Sequence, residues 1–283
     1  MPISINTNTM ASSASLHLQR NSANFEKSLN RLSSGSKLSN SSDDPGGLAV
    51  SMKLSAAINR QTASITNVQN ALSFAQLQDG DIASAAKVVD RMTSLRSLYD
   101  DVTKSTLDKD NYNTEFQSLR VQLYQLSDGT FNGISLFSRE TWGEGNVAAT
   151  DYVDVLTSER GSGGSKISLG KINLISALNV KGQTVATYVV AEQDPDTALA
   201  VDTKGKGNNT SLGDFSVDSF ILALQNISTL RAENGATQAR FGFALDHLET
   251  NKVNMEAANG RIKDVDIATE STRFARYNIL MQA

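Results

Sequence analysis

Apolar residues recur near both ends of this chain at spacings that alternate three and four, and the middle breaks the pattern. Leu54, Ile58, Ile65, Val68, Leu72 and Ala75 form one series; Phe220, Leu224, Ile227, Phe241, Leu245, Leu248 and Met255 form another. This spacing puts the side chains on one stripe of a helix. The second series predicts a helix from residue 217 to about 260, roughly 65 Å at ~1.5 Å per residue. Helices of that length predict an elongated antiparallel bundle or coiled coil built from both chain ends, with Ile65 and Leu72 facing Phe241, Leu245 and Leu248. They argue against the compact pocket of an enzyme.

Turn chemistry divides the rest. Leu18, Phe25, Leu29 and Leu32 mark a first helical stripe, followed by the turn-rich run Asn40-Ser41-Ser42-Asp43-Asp44-Pro45-Gly46-Gly47. Asp43 or Asp44 suits a helix N-cap and Pro45 a first turn. The next helix is predicted to stop at Asp79-Gly80, with a second carrying Val88, Met92, Leu95, Tyr99 and Val102, and a third over residues 108–126. Gly161-Ser162-Gly163-Gly164 and Gly205-Lys206-Gly207 punctuate a β-rich insertion, in which Lys166-Ile167-Ser168-Leu169 and residues 185–190 read as strands. A last helical piece is predicted over residues 267–283. The fold class is thus mainly α with a small β-rich middle.

Composition narrows the chemistry. The 283 residues carry a net charge of −4, no cysteine and two histidines. No basic stripe with interleaved aromatics suggests nucleic acid. Without cysteine there are no disulfides and no thiolate sites. The polar first twenty residues do not read as a signal peptide, and no apolar run is long enough for a membrane span. His17 and His247 have no partners at ligand spacing, so no metal, cofactor or catalytic residue is assigned. The run from Gly164 to Lys171 has the wrong glycine spacing for a phosphate loop, with Ile172 where a hydroxyl is required, and reads as a flexible tip. Asp43, Asp44, Asp264 and Asp266 read as capping and turn residues rather than paired catalytic acids. Arg231, Asn234 and Gln238 interrupt the second stripe, as either a wet seam or a register device.

Several motifs resemble one family. Leu29-Asn30-Arg31-Leu32-Ser33-Ser34-Gly35 followed by Asp43-Asp44-Pro45-Gly46-Gly47-Leu48-Ala49 resembles the N-terminal signature of bacterial flagellins. Asn70-Ala71-Leu72-Ser73, Gln78-Asp79-Gly80 and Phe131-Asn132-Gly133 continue the likeness. Residues 257–266, Ala-Ala-Asn-Gly-Arg-Ile-Lys-Asp-Val-Asp, resemble the C-terminal motif. The resemblance covers some two-thirds of the chain and leaves residues 138–212 unmatched.

The resemblance implies a structural, non-enzymatic subunit of the flagellar filament, secreted and self-assembling for motility. It implies a filament-core helix over residues 1–43, two halves of a helical core domain over 44–137 and 213–266, a variable region over 138–212, and the start of a second filament-core helix over 267–283. Implied partners are other subunits, the flagellar type III export apparatus, a flagellin chaperone and the Toll-like flagellin receptor of hosts. For the receptor, Arg91 and Leu95 match the positions that flagellins present, whereas Asp90 and Ser94 depart from them; the alternative is that Arg91 serves packing between subunits of the filament. The metalloprotease motif that a few flagellins carry is not present. Flagellins usually continue past Ala283 by about one helix. On that basis the first helix is expected to lack a partner, and the chain is expected not to polymerise by itself. Alternatives are the hook–filament junction protein, towards which Asp44-Pro45 leans, and a flagellin-like polysaccharide-binding surface protein, for which Trp142, Tyr152 and Tyr188 would line the groove.

Overall fold

The computed structural model describes residues 8–138, 152–158, 160–178 and 211–282. It divides into two compact units, Met1–Ala63 with Glu249–Ala283, and Ser64–Leu248. Two long helices, α2 (Pro45–Tyr99) and α5 (Val217–Lys263), supply residues to both.

In the first unit, α1 (Thr9–Ser34) runs beside α6 (Ile267–Gln282). Asn8 caps α1 by accepting from Met10 N and Ala11 N, and Gly35 ends it in the left-handed conformation at φ 67°. Asp44 caps α2: its Oδ1 accepts from Gly47 N at 2.9 Å. A Cβ at Gly47 would come within 2.4 Å of that carboxylate, so a side chain there would push the cap aside. Ala57 is the one buried hydrophobic residue of this unit among those described; Ser28, Ser51, Gln61 and Glu270 are the other buried side chains. With so little apolar area removed from water, polar contacts matter more here than burial.

The second unit holds the hydrophobic core. Val68, Phe74, Ile82, Val89, Met92 and Leu95 of α2 pack with Phe220, Ala223, Ile227 and Phe241 of α5 and with Phe116 and Leu123 of α3 (Thr106–Ser127). A capping box starts α3: Ser105 Oγ accepts from Asp108 N, and Asp108 Oδ2 accepts from Ser105 N at 3.0 Å. Phe116, Phe215 and Phe220 cluster with ring centroids 5.6–6.2 Å apart. The hairpin β1 (Thr130–Phe131) and β2 (Ile134–Ser135) turns at Asn132 and Gly133, both with positive φ. Strands β3 (Tyr152–Leu156) and β4 (Lys166–Gly170) pair antiparallel, and Leu174–Ala177 forms the short α4.

Several expectations change. Helix α2 does not stop at Asp79-Gly80. A glycine inside a helix costs only ~1 kcal/mol relative to alanine, and the core packing of Ala75 and Ile82 on either side outweighs it. The helix ends instead at Tyr99, which leaves Val102 95% exposed rather than on its buried face. Leu54 and Ile58 are half-buried; the inner face at that level carries Ser51, Ala57 and Gln61. The run from Gly164 to Lys171 is no flexible tip: most of it is β4, hydrogen-bonded throughout to β3. The expected strand over residues 185–190 and the Gly205 to Gly207 loop lie outside the described residues.

Candidate functional site

In the first unit, the signature residues meet one another. Asp43 accepts an ion pair from Lys27 Nζ at 2.5 Å and another from Arg31 Nη2 at 3.4 Å, with its side chain 6% exposed. The Lys27 hydrogen bond, foremost, holds the Asp43 carboxyl below the usual carboxylate range. Asp43 is therefore an ion-pair centre and Asp44 the cap. Val265 N donates to Gly35 O at 3.0 Å and Lys37 N to Lys263 O at 2.7 Å, so a two-residue bridge joins the α1 and α5 ends. Ser51 Oγ donates to Asn259 Oδ1 at 2.7 Å, and Asn259 Nδ2 donates to Ser55 Oγ at 3.2 Å. Asp266 caps α6 by accepting from Ala268 N and Thr269 N. The Thr269 hydroxyl is the main cause of its lowered pKa.

The α1–α6 pair corrects a further expectation. Helix α1 does have a partner: Phe25 stacks on Phe274 at 4.8 Å, and Ser28 Oγ donates to Glu270 Oε1 at 2.6 Å. Glu270 is buried and also meets Arg273 Nη1 at 3.4 Å. Cover is confined to one half of α1. Every described residue from Asn8 to Arg20 is exposed, among them Met10, Leu16 and Leu18. Leu29 is exposed as well, as are Ile279, Leu280 and Met281 on α6.

In the second unit, the polar breaks in the α5 stripe have partners on α2. Arg231 Nε and Nη2 grip Asp79 Oδ1 and Oδ2 at 3.0 and 3.1 Å, a bidentate pair. Asn234 and Gln238 both donate to the Ala75 carbonyl. Of the two readings of this seam, register control fits better, because Asn234 is 3% exposed and reaches a fixed backbone atom. Phe241 and Leu248 are buried, whereas Ile65, Leu72 and Leu245 are only partly buried against the core.

The receptor-facing candidates do not share one surface. Arg91 lies exposed and paired with Glu115 Oε1 of α3 at 2.8 Å, with Asp90 exposed beside it. Ser94 is exposed and donates to Asp90 O. Leu95 is fully buried, because heptad spacing from Val88 places it on the inner face. Leu95, a receptor candidate by resemblance, thus packs in the core of this unit with Val88 and Met92. Tyr152 is 46% exposed on β3; Trp142 and Tyr188 lie outside the described residues.

The periodicity had overlooked Ser28, Glu270 and Gln78. Gln78 is buried and donates through Nε2 to Leu136 O at 2.8 Å. Each sits at stripe spacing, but a polar residue there does not register as apolar periodicity. Arg120 is fully buried over the rings of Phe116 and Phe215 at 5.7 and 5.9 Å. Among the described residues no three His, Cys, Asp or Glu side chains gather as a metal site, and no helix is long and apolar enough to cross a membrane.

The chain matches the family model described as the bacterial flagellin N-terminal helical region over residues 5–141. It matches the bacterial flagellin C-terminal helical region over residues 218–283. It is 27% identical over 284 residues to the flagellar filament 33 kDa core protein of Treponema phagedenis, covering 99% of this chain and 92% of that one. It is 28% identical over 280 residues to a flagellin of Halalkalibacterium halodurans, with the same coverage. The crystal structure of Bacillus cereus flagellin aligns with a TM-score of 0.46 at 20% identity, over 69% of this chain and 94% of that one. Two family models that flank the middle and together match most of the residues, on the same segments whose signature side chains bind each other, place this chain in the bacterial flagellin family.

Proposed function

We propose that this chain polymerises with copies of itself into the flagellar filament through the α1–α6 pair. The observation that supports this reading is the row of large apolar side chains left exposed on that pair, Met10, Leu16, Leu18, Leu29 and Ile279. Each exposed apolar residue leaves area in water that association would remove, at about 25 cal/mol per Å². Contacts of one surface with a different surface of the next copy do not close, and so grow a filament. Export through the flagellar type III apparatus, with a chaperone, accords with a chain that has no cysteine and so no disulfide to undo. Recognition by the host Toll-like flagellin receptor would rest on Arg91 with its neighbours Asp90 and Ser94, not on the buried Leu95.

The test is seeded polymerisation of the purified chain, followed by light scattering and electron microscopy. Because α6 partners α1, the ground for expecting no polymerisation by this chain alone falls away: filaments from the parent chain, and none from a Leu16→Asp, Leu18→Asp variant with unchanged helicity, are the expected results. Filaments of normal yield from that variant would overturn the assignment of the surface.

A further inference from the structure

The chain contains three Asn-Gly steps: Asn132-Gly133, Asn234-Gly235 and Asn259-Gly260. All three have the same intrinsic chemistry. The main-chain nitrogen of the glycine, unhindered by a side chain, attacks the asparagine side-chain carbonyl carbon. A bond forms from that nitrogen to Cγ, the Cγ–Nδ2 bond breaks, and ammonia leaves with the proton lost from the glycine nitrogen. Water then opens the succinimide at either carbonyl and yields aspartate or isoaspartate. The reaction needs only water.

The fold separates the three. Asn234 and Asn259 lie inside α5, where the following glycine N–H belongs to the helix ladder and the backbone holds it away from Cγ. Their amides are also held: Asn234 donates to Ala75 O, and Asn259 bridges Ser51 and Ser55. Asn132 differs in every respect. It is exposed, sits at φ 50° in a two-residue turn followed by Gly133 at φ 79°, and its side chain has no hydrogen bond among the described residues. Aspartate tolerates the same left-handed conformation, so the aspartate product fits the turn. Isoaspartate adds a main-chain atom where Phe131 and Ile134 must pair across two residues.

We propose that Asn132 is a site of spontaneous deamidation in the folded chain, and that the helix protects Asn234 and Asn259. The modification puts a negative charge on the turn of the β1–β2 hairpin, three residues before the Leu136 carbonyl's neighbour Ser135 and close in sequence to the Gln78 contact at Leu136.

The experiment ages the intact chain in mildly alkaline buffer, digests timed samples with trypsin and follows the amide-to-acid mass gain. The peptides are residues 121–139, 232–240 and 253–261, each with one of the three asparagines before glycine. Conversion is expected in 121–139, with the other two at least about tenfold slower, since both must wait for local opening of the helix. The same chain in urea is expected to convert all three at similar rates, which separates the effect of fold from that of sequence. Isoaspartate in peptide 121–139, detected by an isoaspartate-specific methyltransferase, would identify the succinimide route. Equal rates at the three sites in the folded chain, or no conversion at Asn132 while the urea sample converts, would overturn the proposal.

Discussion

Asn234 Nδ2 donates to the main-chain oxygen of Ala75 at 2.9 Å, from the buried face of one long helix to the backbone of another. A mid-helix carbonyl already serves its own ladder, so the side chain reads a fixed axial position on α2. Gln238 reaches the same oxygen at 3.3 Å, and Arg231 grips Asp79 one turn further on.

This arrangement makes the effect of Asn234→Leu predictable. The Asn234 Oδ1 is buried without a partner, and an unmet polar atom in the core is costly. Replacing the amide with an apolar side chain should leave the melting temperature equal or higher. What it should lose is the axial marker, seen as faster amide hydrogen exchange around Ala75. A fall in stability beyond ~2 kcal/mol would mean the hydrogen bond stabilises more than it specifies.

Phe241 and Leu245 stand one turn apart on α5 but are not equivalent. Phe241 is fully buried and Leu245 only partly so. Phe241→Ala should cost about 3–5 kcal/mol through lost burial and a cavity. Leu245→Ala should cost less than ~2 kcal/mol, because part of its surface is already in water. Denaturant melts of the two variants test the order, and a larger loss for Leu245 would contradict the burial pattern.

The long helices and their inward faces were legible because apolar periodicity reports what a helix buries. Phe220, Ile227 and Phe241 follow from spacing alone. The rest was not legible, for separate reasons. Gly80 reads as a stop because propensity is local, whereas the packing that carries α2 through it comes from residues distant in sequence. Leu95 carries two readings in the sequence, a receptor position by resemblance and a place in the Val88–Met92 stripe, and the fold buries it as the stripe implies. Ser28, Gln61, Gln78 and Glu270 stayed invisible because polar residues at core positions look like breaks in a stripe. Their partners lie far along the chain, 242 residues away for Ser28 and Glu270 and 58 for Gln78 and Leu136.

The burial of Leu95 beside the exposed Arg91 gives a paired prediction. Leu95→Ala should destabilise the second unit by about 2–5 kcal/mol, as for other core leucines. Arg91→Ala should leave stability close to the parent's, since its pair with Glu115 is exposed and solvent-screened. In a receptor reporter assay at a temperature where both variants are folded, Arg91→Ala should lower the response and Leu95→Ala leave it near the parent level. A response lost with Leu95→Ala alone would place that side chain at the contact after all.

Asp43 makes the first unit sensitive to acid. Its folded pKa lies below the ordinary value of 3.8, chiefly through Lys27. A depressed carboxyl contributes stability that is present above the unfolded pKa and is lost as pH falls through the folded one. The stability difference between the parent chain and Asp43→Asn should therefore stay constant above about pH 5 and shrink below ~4. The capping carboxylates Asp108 and Asp266, also lowered, are common to both chains and cancel. A difference that grows on acidification would reverse the sign and rule out the ion pair as its source.

Proteolysis should divide α1 at its middle. Residues 8–20 are exposed throughout, and an isolated helical stretch of that length is marginal in water. From Phe25 onward the helix is held by the Phe274 stack, the Ser28–Glu270 hydrogen bond and the Asp43 ion pairs of Lys27 and Arg31. Among the trypsin sites of α1, Arg20 should be cut first in the dilute monomer, and Lys27 and Arg31 should resist until the unit opens. The early product would then begin at Asn21 and keep the α1–α6 contact. Phe274→Ala should remove the distinction, so that all three sites are cut at similar rates. If the parent chain is cut at Lys27 or Arg31 as fast as at Arg20, α6 does not hold α1 in solution, and the exposed apolar row on that pair loses the platform from which it would meet another copy.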